Sequence, residues 1–312
     1  MKHAIIDIGS NSMRLSLYEV NEENFKVLFR EKYMAGLAGY VDKDGNLSLD
    51  GIECAINGLL EFKAALESLN IADVSVFATA SLRNINNTAE AVRLIHAASG
   101  YEIEVISGEE EALLGYSGAM QELSITDGAF MDVGGASTEI VTFDAGEPIH
   151  FASFEVGSLK LYQEYVKKIL PGEGALKKMC KAITGGIEKK DVMPFDERRQ
   201  LVCVGGSARA VLKLGKKYYH LPDDTNTLSS KQLNDLATLL YSGEKEATDL
   251  ILKLTSDRVH TIVPGSMILQ HVMNLFKAEE IIISKYGVRE GYLWQKIMKK
   301  TKNNTITPKI EN

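Results

Sequence analysis

Cysteine is scarce in this chain. Cys54, Cys180 and Cys203 are the only three in 312 residues, widely spaced and without a Cys-x-x-Cys pair, so no disulfide framework is expected. No apolar run approaches the roughly 20 residues that a membrane-spanning helix needs. Only Met1-Lys2-His3 precede a short apolar segment that already carries Asp7, which is not the pattern of a signal peptide. The expectation is a cytoplasmic protein with no membrane partner. Positive charge is not in excess either: the net charge is −7, which argues against nucleic acid, whose binding needs a basic surface. A polyanionic substrate is not excluded, because Lys and Arg can cluster locally. The six histidines show no metal-ligand spacing, and no low-complexity linker interrupts the chain. With 45% hydrophobic and 25% charged residues, two ordinary cores can be buried.

A repeat is present where these features are not. Asp7-Ile8-Gly9-Ser10-Asn11-Ser12 returns, altered, as Asp132-Val133-Gly134-Gly135-Ala136-Ser137-Thr138-Glu139. Each copy follows an apolar run (Ala4-Ile5-Ile6; Ala129-Phe130-Met131) and precedes another (Leu15–Tyr18; Ile140–Phe143). The pattern reads as one hairpin used twice. Asp, Gly and Ser are favoured in any tight turn, and for a single copy that would suffice. Two copies, each with an Asp directly after a buried strand, point to small-residue turns whose backbone N–H groups cradle phosphate, with carboxylates beside them for a metal.

Residues 1–30 read as a hairpin or three-strand meander: Ala4–Ile8, Met13–Val20 and Lys26–Arg30. Asp44-Gly45 marks a turn. Ile52, Ala55, Ile56, Leu59, Leu60, Leu66 and Leu69 then recur at helical spacing. A strand at Val74–Ala78, a helix at Ala89–Ala98 closed by Gly100, a strand over Tyr101–Ile106 and a helix over Ser107–Met120 follow. Strands resume at Gly128–Met131, and the second half repeats the theme with longer helices (Ser158–Ile169, Lys231–Tyr241) and strands at Leu201–Val204 and Glu280–Ser284. This predicts an α/β chain of two similar domains facing across a cleft. The first spans 1–120, with a final helix at about 290–303 packing back on it; the second spans 121–300; a polar tail occupies 301–312.

Several side chains stand out. Asp7 and Asp132 sit where a strand normally stays apolar, and a buried carboxylate needs a cation or several donors; a divalent ion shared with Glu139 would supply one. A cross-strand partner on a solvated face would be the plainer role for Glu139, were the segment not opened by Asp132. In Ser107-Gly108-Glu109-Glu110-Glu111 the acids suit a helix start. Ser107 with Glu110 fits a capping box, and Glu109 is expected in solvent. Glu111 is left without a local role and is the candidate to deprotonate an attacking water. Thr79 and Arg83 follow a strand, where Arg can contact phosphate. Gly205-Gly206-Ser207 opens a helix, a second anion-cradling shape, although any tight strand-to-helix turn looks the same.

Together these residues resemble the exopolyphosphatase/guanosine pentaphosphate phosphohydrolase (Ppx/GppA) family of the actin, Hsp70 and sugar-kinase superfamily, nearly end to end. Asp7–Ser12 with Arg14-Leu15 is similar to its first phosphate hairpin, and Val41–Ser48 to its glycine-turn segment. Ala78-Thr79-Ala80-Ser81-Leu82-Arg83 with Asn87 matches Ala-Thr-x-x-x-Arg…Asn. Ser107–Ala112 matches Ser-Gly-x-Glu-Glu-Ala, and Asp132–Glu139 matches Asp-x-Gly-Gly-Gly-Ser-Thr-Glu. Gly157 with Lys160-Leu161, Gly205-Gly206-Ser207, Arg258 through Pro264-Gly265, and Ser284–Gly291 (Gly-x-Arg-Glu-Gly) also fit. The departures are Ala136 at the third Gly, no basic residue in Tyr33–Leu37, and Lys160 where Arg is common.

The resemblance implies two actin-like (ribonuclease H-like) domains, Mg²⁺ or another divalent cation, and hydrolysis of a terminal phosphoanhydride of inorganic polyphosphate or guanosine pentaphosphate. It assigns phosphate binding to Ser10, Asn11, Ser12, Thr79, Gly134, Gly135, Ala136, Ser137, Gly205, Gly206 and Ser207. Metal binding falls to Asp7, Asp132 and Glu139, and catalysis to Glu111, Glu139 and Arg83. A homodimer is a further expectation. The chain lines up with the short, two-domain form, for which processivity on long chains is expected to be reduced. A non-catalytic actin-type sensor and a sugar kinase are the readings from other classes; Glu111 and Glu139 speak against the first, and a Glu suited to water speaks against the second.

Overall fold

The computed structural model describes residues 1–189 and 192–299; the expected tail at 301–312 lies outside the described residues. The chain divides into two compact units, Met1–Ser107 with the segment from Val288 onward, and Gly108–Gly287.

In the first unit, β1 (Lys2–Ile8), β2 (Met13–Val20) and β3 (Phe25–Tyr33) form the expected meander. There follow α1 (Leu49–Ser68), β4 (Val74–Ala78), α2 (Ala80–Arg83), α3 (Thr88–Ser99) and β5 (Ile103–Val105). The sheet order is β3-β2-β1-β4-β5, antiparallel across the meander and parallel from β1 through β4 to β5. Strand periodicity divides the residues. Ala4, Ile6, Ile8, Leu15 and Leu17 turn to one side and pack with Ile52, Ala55, Leu59, Phe62 and Leu66 of α1. Ser48 caps α1 by accepting from the Gly51 N–H at 3.3 Å. His3, Ile5 and Asp7 therefore face the other side.

In the second unit, α4 (Gly108–Ala119) precedes β6 (Gly128–Val133), β7 (Thr138–Asp144) and β8 (Glu147–Phe154). Next come α5 (Ser158–Tyr165), α6 (Glu173–Ile187), β9 (Gln200–Val204), α7 (Gly205–Tyr218), β10 (Thr227–Ser229), α8 (Ser230–Ser242), α9 (Lys245–Thr255), α10 (Ile262–Leu275) and β11 (Glu280–Ile283). The order is β10-β11-β9-β6-β7-β8. Read from β8, it repeats the first sheet, with β10 added antiparallel at the edge. Ala129, Met131, Val133, Leu201 and Cys203 face the large core that includes α7 and α10. Phe130, Val141, Phe143, Val202 and Val204 face α4, through Ala112, Tyr116 and Ala119. Both units thus share one α/β topology, an antiparallel meander continued by parallel strands.

Two expectations need adjustment. The first boundary falls at Ser107/Gly108 rather than near 120, because the apolar residues of α4 complete the second unit's core. The final helix is a short α11 (Val288–Tyr292) that widens into a π-helical turn over Leu293–Met298. It belongs to the first unit. Tyr292 stacks on Phe77 with centroids 4.9 Å apart and donates to Glu104 at 2.7 Å, and Lys296 pairs with the same carboxylate.

Candidate active site

The two turns are built alike. Gly9–Ser12 joins β1 to β2 and Gly134–Ser137 joins β6 to β7, with Ile8 opposite Met13 and Val133 opposite Thr138. Each must begin with glycine: a Cβ on Gly9 would stand 2.9 Å from the Ser12 carbonyl oxygen, and one on Gly134 3.0 Å from that of Ser137. The carbonyls are drawn back toward a helix start. The Ala38 and Gly36 N–H groups donate to Ser10 and Asn11 at 3.1 and 3.0 Å. Those of Ser158, Leu159 and Lys160 donate to Gly134, Gly135 and Gly135 at 3.0, 2.9 and 3.0 Å. Orphan N–H groups at the starts of α5 and of the 3₁₀ turn Leu37–Tyr40 are satisfied in this way. A trans peptide points its N–H opposite to its C=O. The N–H groups of Asn11 and Ser12, and of Gly135 and Ala136, therefore point away from these helix starts, the shape that receives an anion. Ala136 is not among the positive-φ residues, so it serves where a third glycine was expected.

Gly157 makes the second turn possible. A Cβ there would run into the Gly135 carbonyl oxygen and the Ala136 backbone. The first unit uses Gly36, with φ of 58°, at the corresponding place.

In the second unit Asp132 lies opposite Glu139 on β7 and Val204 on β9. Both carboxylates thus belong to the face that α4 covers. Glu111, in the first turn of α4, is 8% exposed and Glu139 is 1% exposed, whereas Glu109 is exposed and Glu110 half-buried. The three acids at this helix start are therefore separated as expected. Ser153 donates to Glu139 Oε1 at 2.7 Å. Asp132 lies against the first residue of α7: Gly205 has φ of +88°, and a Cβ on it would meet Asp132 Oδ1. A helix N-terminus favours such a carboxylate. Burial, and then the charge of Asp132, push the Cys203 thiol pKa upward, which leaves that cysteine inert. The Gly205-Gly206-Ser207 segment is itself the first turn of α7. A Cβ on Gly206 would collide with the Arg258 guanidinium, so a cation backs this turn. Burial lowers the Arg258 pKa, and Asp257 raises it. In the sequence Arg258 stands out only as the start of the stretch that runs through Pro264-Gly265.

In the first unit Asp7 lies opposite Arg14 and Phe77. Burial raises its pKa, Arg289 and then Arg14 lower it, and Glu290 raises it. Arg14 Nε donates to Ser12 Oγ at 3.4 Å, tying strand to turn. Arg289 Nη1 donates to Ser16 Oγ at 2.9 Å. Glu290, 1% exposed, accepts from the Tyr18 hydroxyl at 2.8 Å and from Arg30 Nη2 at 3.0 Å. This cluster was not anticipated as a site, because its members are far apart in sequence. Thr79 is buried, and its N–H reaches the Ile8 carbonyl at 3.5 Å. Arg83 Nη1 donates to the Ile106 carbonyl at 3.2 Å and its Nε to Asn84 Oδ1 at 3.3 Å. Asn87 clasps Leu47, accepting from its N–H at 2.8 Å and donating to its carbonyl at 3.0 Å.

Among the described residues no three His, Cys, Asp or Glu gather as a metal cluster. The paired carboxylates Asp132 and Glu139 nevertheless suit Mg²⁺, a hard ion that takes one or two carboxylates and completes its shell with water and phosphate. Asp7 differs in its surroundings: burial pushes its pKa up, and Arg289 and Arg14 pull it down by less. No helix among the described residues is long and apolar enough to cross a membrane.

The chain is similar to a Haemophilus influenzae protein provisionally named an exopolyphosphatase, 26% identical over 294 residues that cover 93% of this chain and 90% of that one. The crystal structure of an exopolyphosphatase from Cytophaga hutchinsonii superposes with a TM-score of 0.83 at 22% identity, covering 95% of this chain and 97% of the other. The Aquifex aeolicus member of the Ppx/GppA family does so with a TM-score of 0.77 at 23% identity, covering 96% and 98%. These structures share the fold. The Ppx/GppA phosphatase family itself matches residues 16–300, and the chain therefore belongs to that family.

Proposed function

We propose that this chain is an exopolyphosphatase, which hydrolyses the terminal phosphoanhydride of inorganic polyphosphate and releases orthophosphate with the help of Mg²⁺ or another divalent ion. The observation that carries this reading is the pairing of Asp132 with Glu139 on the face of the second sheet that α4 covers, with Glu111 buried in the first turn of that helix, beside a turn whose N–H groups point outward. The Gly135 and Ala136 N–H groups with Ser137, and the Asn11 and Ser12 N–H groups with Ser10, hold phosphate oxygens. Gly205-Gly206-Ser207, backed by Arg258, offers a further N-terminal anion site. Thr79 and Arg83 are assigned to the phosphate chain, for which Arg83 must exchange one of its present contacts. Asp132 and Glu139 would hold the divalent ion, which would supply charge neutralisation at phosphate oxygens.

Glu111 takes a proton from water as the water oxygen bonds to the terminal phosphorus. The bond from that phosphorus to the bridging oxygen breaks, and the shortened chain departs as an anion. Phosphoryl transfer of this kind depends mostly on positioning and electrostatics.

The test is orthophosphate release with Mg²⁺ from short polyphosphate, long polyphosphate and guanosine pentaphosphate, with Glu111→Gln as control. Release from polyphosphate that the substitution abolishes is the expected result. Release from guanosine pentaphosphate alone would move the activity to that nucleotide. Binding of all three without release would replace the enzyme reading by a sensor.

A further inference from the structure

The helices α4 and α11 occupy equivalent places. Each follows the outermost parallel strand of a sheet, β5 or β11, and each belongs to the other unit than that strand. Their openings align as Gly108-Glu109-Glu110-Glu111-Ala112 and Gly287-Val288-Arg289-Glu290-Gly291. Glu290 is thus the counterpart of Glu111, and Arg289 that of Glu110. Strand register supplies the remaining pairs. Asp7, Arg14 and Lys32 lie in a row across β1, β2 and β3, as Asp132, Glu139 and Ser153 do across β6, β7 and β8. Ser16 and Tyr18 correspond to Val141 and Phe143.

The repeats therefore differ in sign. Where the second unit places Glu110 and Glu139, the first places Arg289 and Arg14. Glu290 is locked by Tyr18 and Arg30, a partner hydroxyl that Phe143 cannot offer to Glu111. The C-terminal segment is also clamped by Tyr292 and Lys296 on Phe77 and Glu104. It has anchors enough without Arg289, whose guanidinium instead reaches Ser16 on the face that carries Asp7.

We infer that Arg289 is a positioning residue for phosphate: it compensates the Asp7 carboxylate behind the Gly9–Ser12 turn, so that a polyphosphate anion meets the Asn11 and Ser12 N–H groups without an unbalanced negative charge behind them. This inference rests on the phosphoanhydrolase reading above.

Steady-state hydrolysis of inorganic tripolyphosphate, calorimetric binding of the same anion and thermal melts of the full chain test it. Arg289→Gln keeps a hydrogen-bond donor but loses the charge. It should raise KM and the tripolyphosphate Kd about tenfold or more, as loss of one partner of a buried charge pair does, with kcat little changed. Arg289→Lys keeps the charge and should stay near wild type. Tyr18→Phe loosens the same segment and should lower the melting temperature without moving KM. An Arg289→Gln enzyme with wild-type KM and Kd would overturn the inference, as would a Tyr18→Phe enzyme with the same KM increase. If the neutral variant does not fold, Arg289→Lys decides: a tenfold rise in KM with the charge retained overturns the inference, and an unchanged KM supports it. A wild-type protein that neither binds nor hydrolyses tripolyphosphate or guanosine pentaphosphate would overturn the functional reading and this inference with it. A wild type that binds, beside an Arg289→Gln variant that binds equally, would sink the inference alone.

Discussion

The two units share strand order, turn length and even the glycine that starts the covering helix, yet they differ in the chemistry placed on that scaffold. The row across the first sheet reads Asp7, Arg14, Lys32; the row across the second reads Asp132, Glu139, Ser153. A hairpin turn with its carbonyls tied back is a generic anion receptor. In the function proposed above, the neighbouring strand positions decide whether such a turn only holds phosphate or also stands beside a water-activating carboxylate. Repetition kept the backbone, and substitution at equivalent positions changed the charge placed on it.

The largest effect should come from Glu111 and its counterpart. Glu111→Gln should cut phosphate release about 10²–10⁴-fold, the usual worth of a general base, while tripolyphosphate binding measured by calorimetry persists. Glu290→Gln should cost turnover far less. Its effect should appear in urea denaturation as about 1–3 kcal/mol, since Tyr18 and Arg30 lose a charged, buried acceptor. Equal kinetic losses in the two variants would break the comparison.

Next in size is Ser153→Ala. This hydroxyl orients Glu139, and loss of such a support lowers metal affinity about 10–100-fold. Titrating activity against Mg²⁺ should show the half-saturating concentration rising accordingly. An unchanged titration would remove Glu139 from the metal site.

Smaller still is Gly157→Ala, which overpacks the Gly135–Ala136 backbone and should destabilise the second unit by about 1–3 kcal/mol. Gly36→Ala meets open space, so only its positive φ opposes it, at about 1 kcal/mol. Paired urea titrations would rank the two.

The smallest effect concerns pH. Burial depresses the His3 pKa below 6.5, against a smaller upward pull from Asp73, and His3 pairs with Ser75 at 2.9 Å. The folded chain thus binds that proton less readily than the unfolded one. The stability held by neutral His3 is present above about pH 6.5 and declines as pH falls below it. His3→Gln should flatten the melting temperature between pH 7 and 5.5. The corresponding residue of the second unit is Gly128, which has no proton to take up. A wild-type slope that survives the substitution would assign it elsewhere.

Much of this was readable from the sequence. The strands at Val74–Ala78 and Met13–Val20 follow from apolar runs bounded by turn residues, and the structure places them there. Glu111 was separable from Glu109 and Glu110 because helix geometry assigns the first-turn acids different surroundings. The domain boundary was not readable: α4 is continuous in sequence with the first unit, and only the fit of Ala112, Tyr116 and Ala119 against the second sheet assigns it there. The roles of Gly157, Arg258 and Arg289 were hidden for the same reason. Each acts on a residue far away in the chain, and local pattern carries no record of such contacts.

The sequence by itself determined the repeated hairpin, the small residues of its turns and the presence of acids beside them, because these depend on neighbours a few positions apart. The tertiary structure alone decided which carboxylates share a face and why glycine is required at 157 and 205. Close approach is set by distances through space, and folding brings Arg289, from the far end of the chain, onto Ser16 of the strand that pairs with the one carrying Asp7.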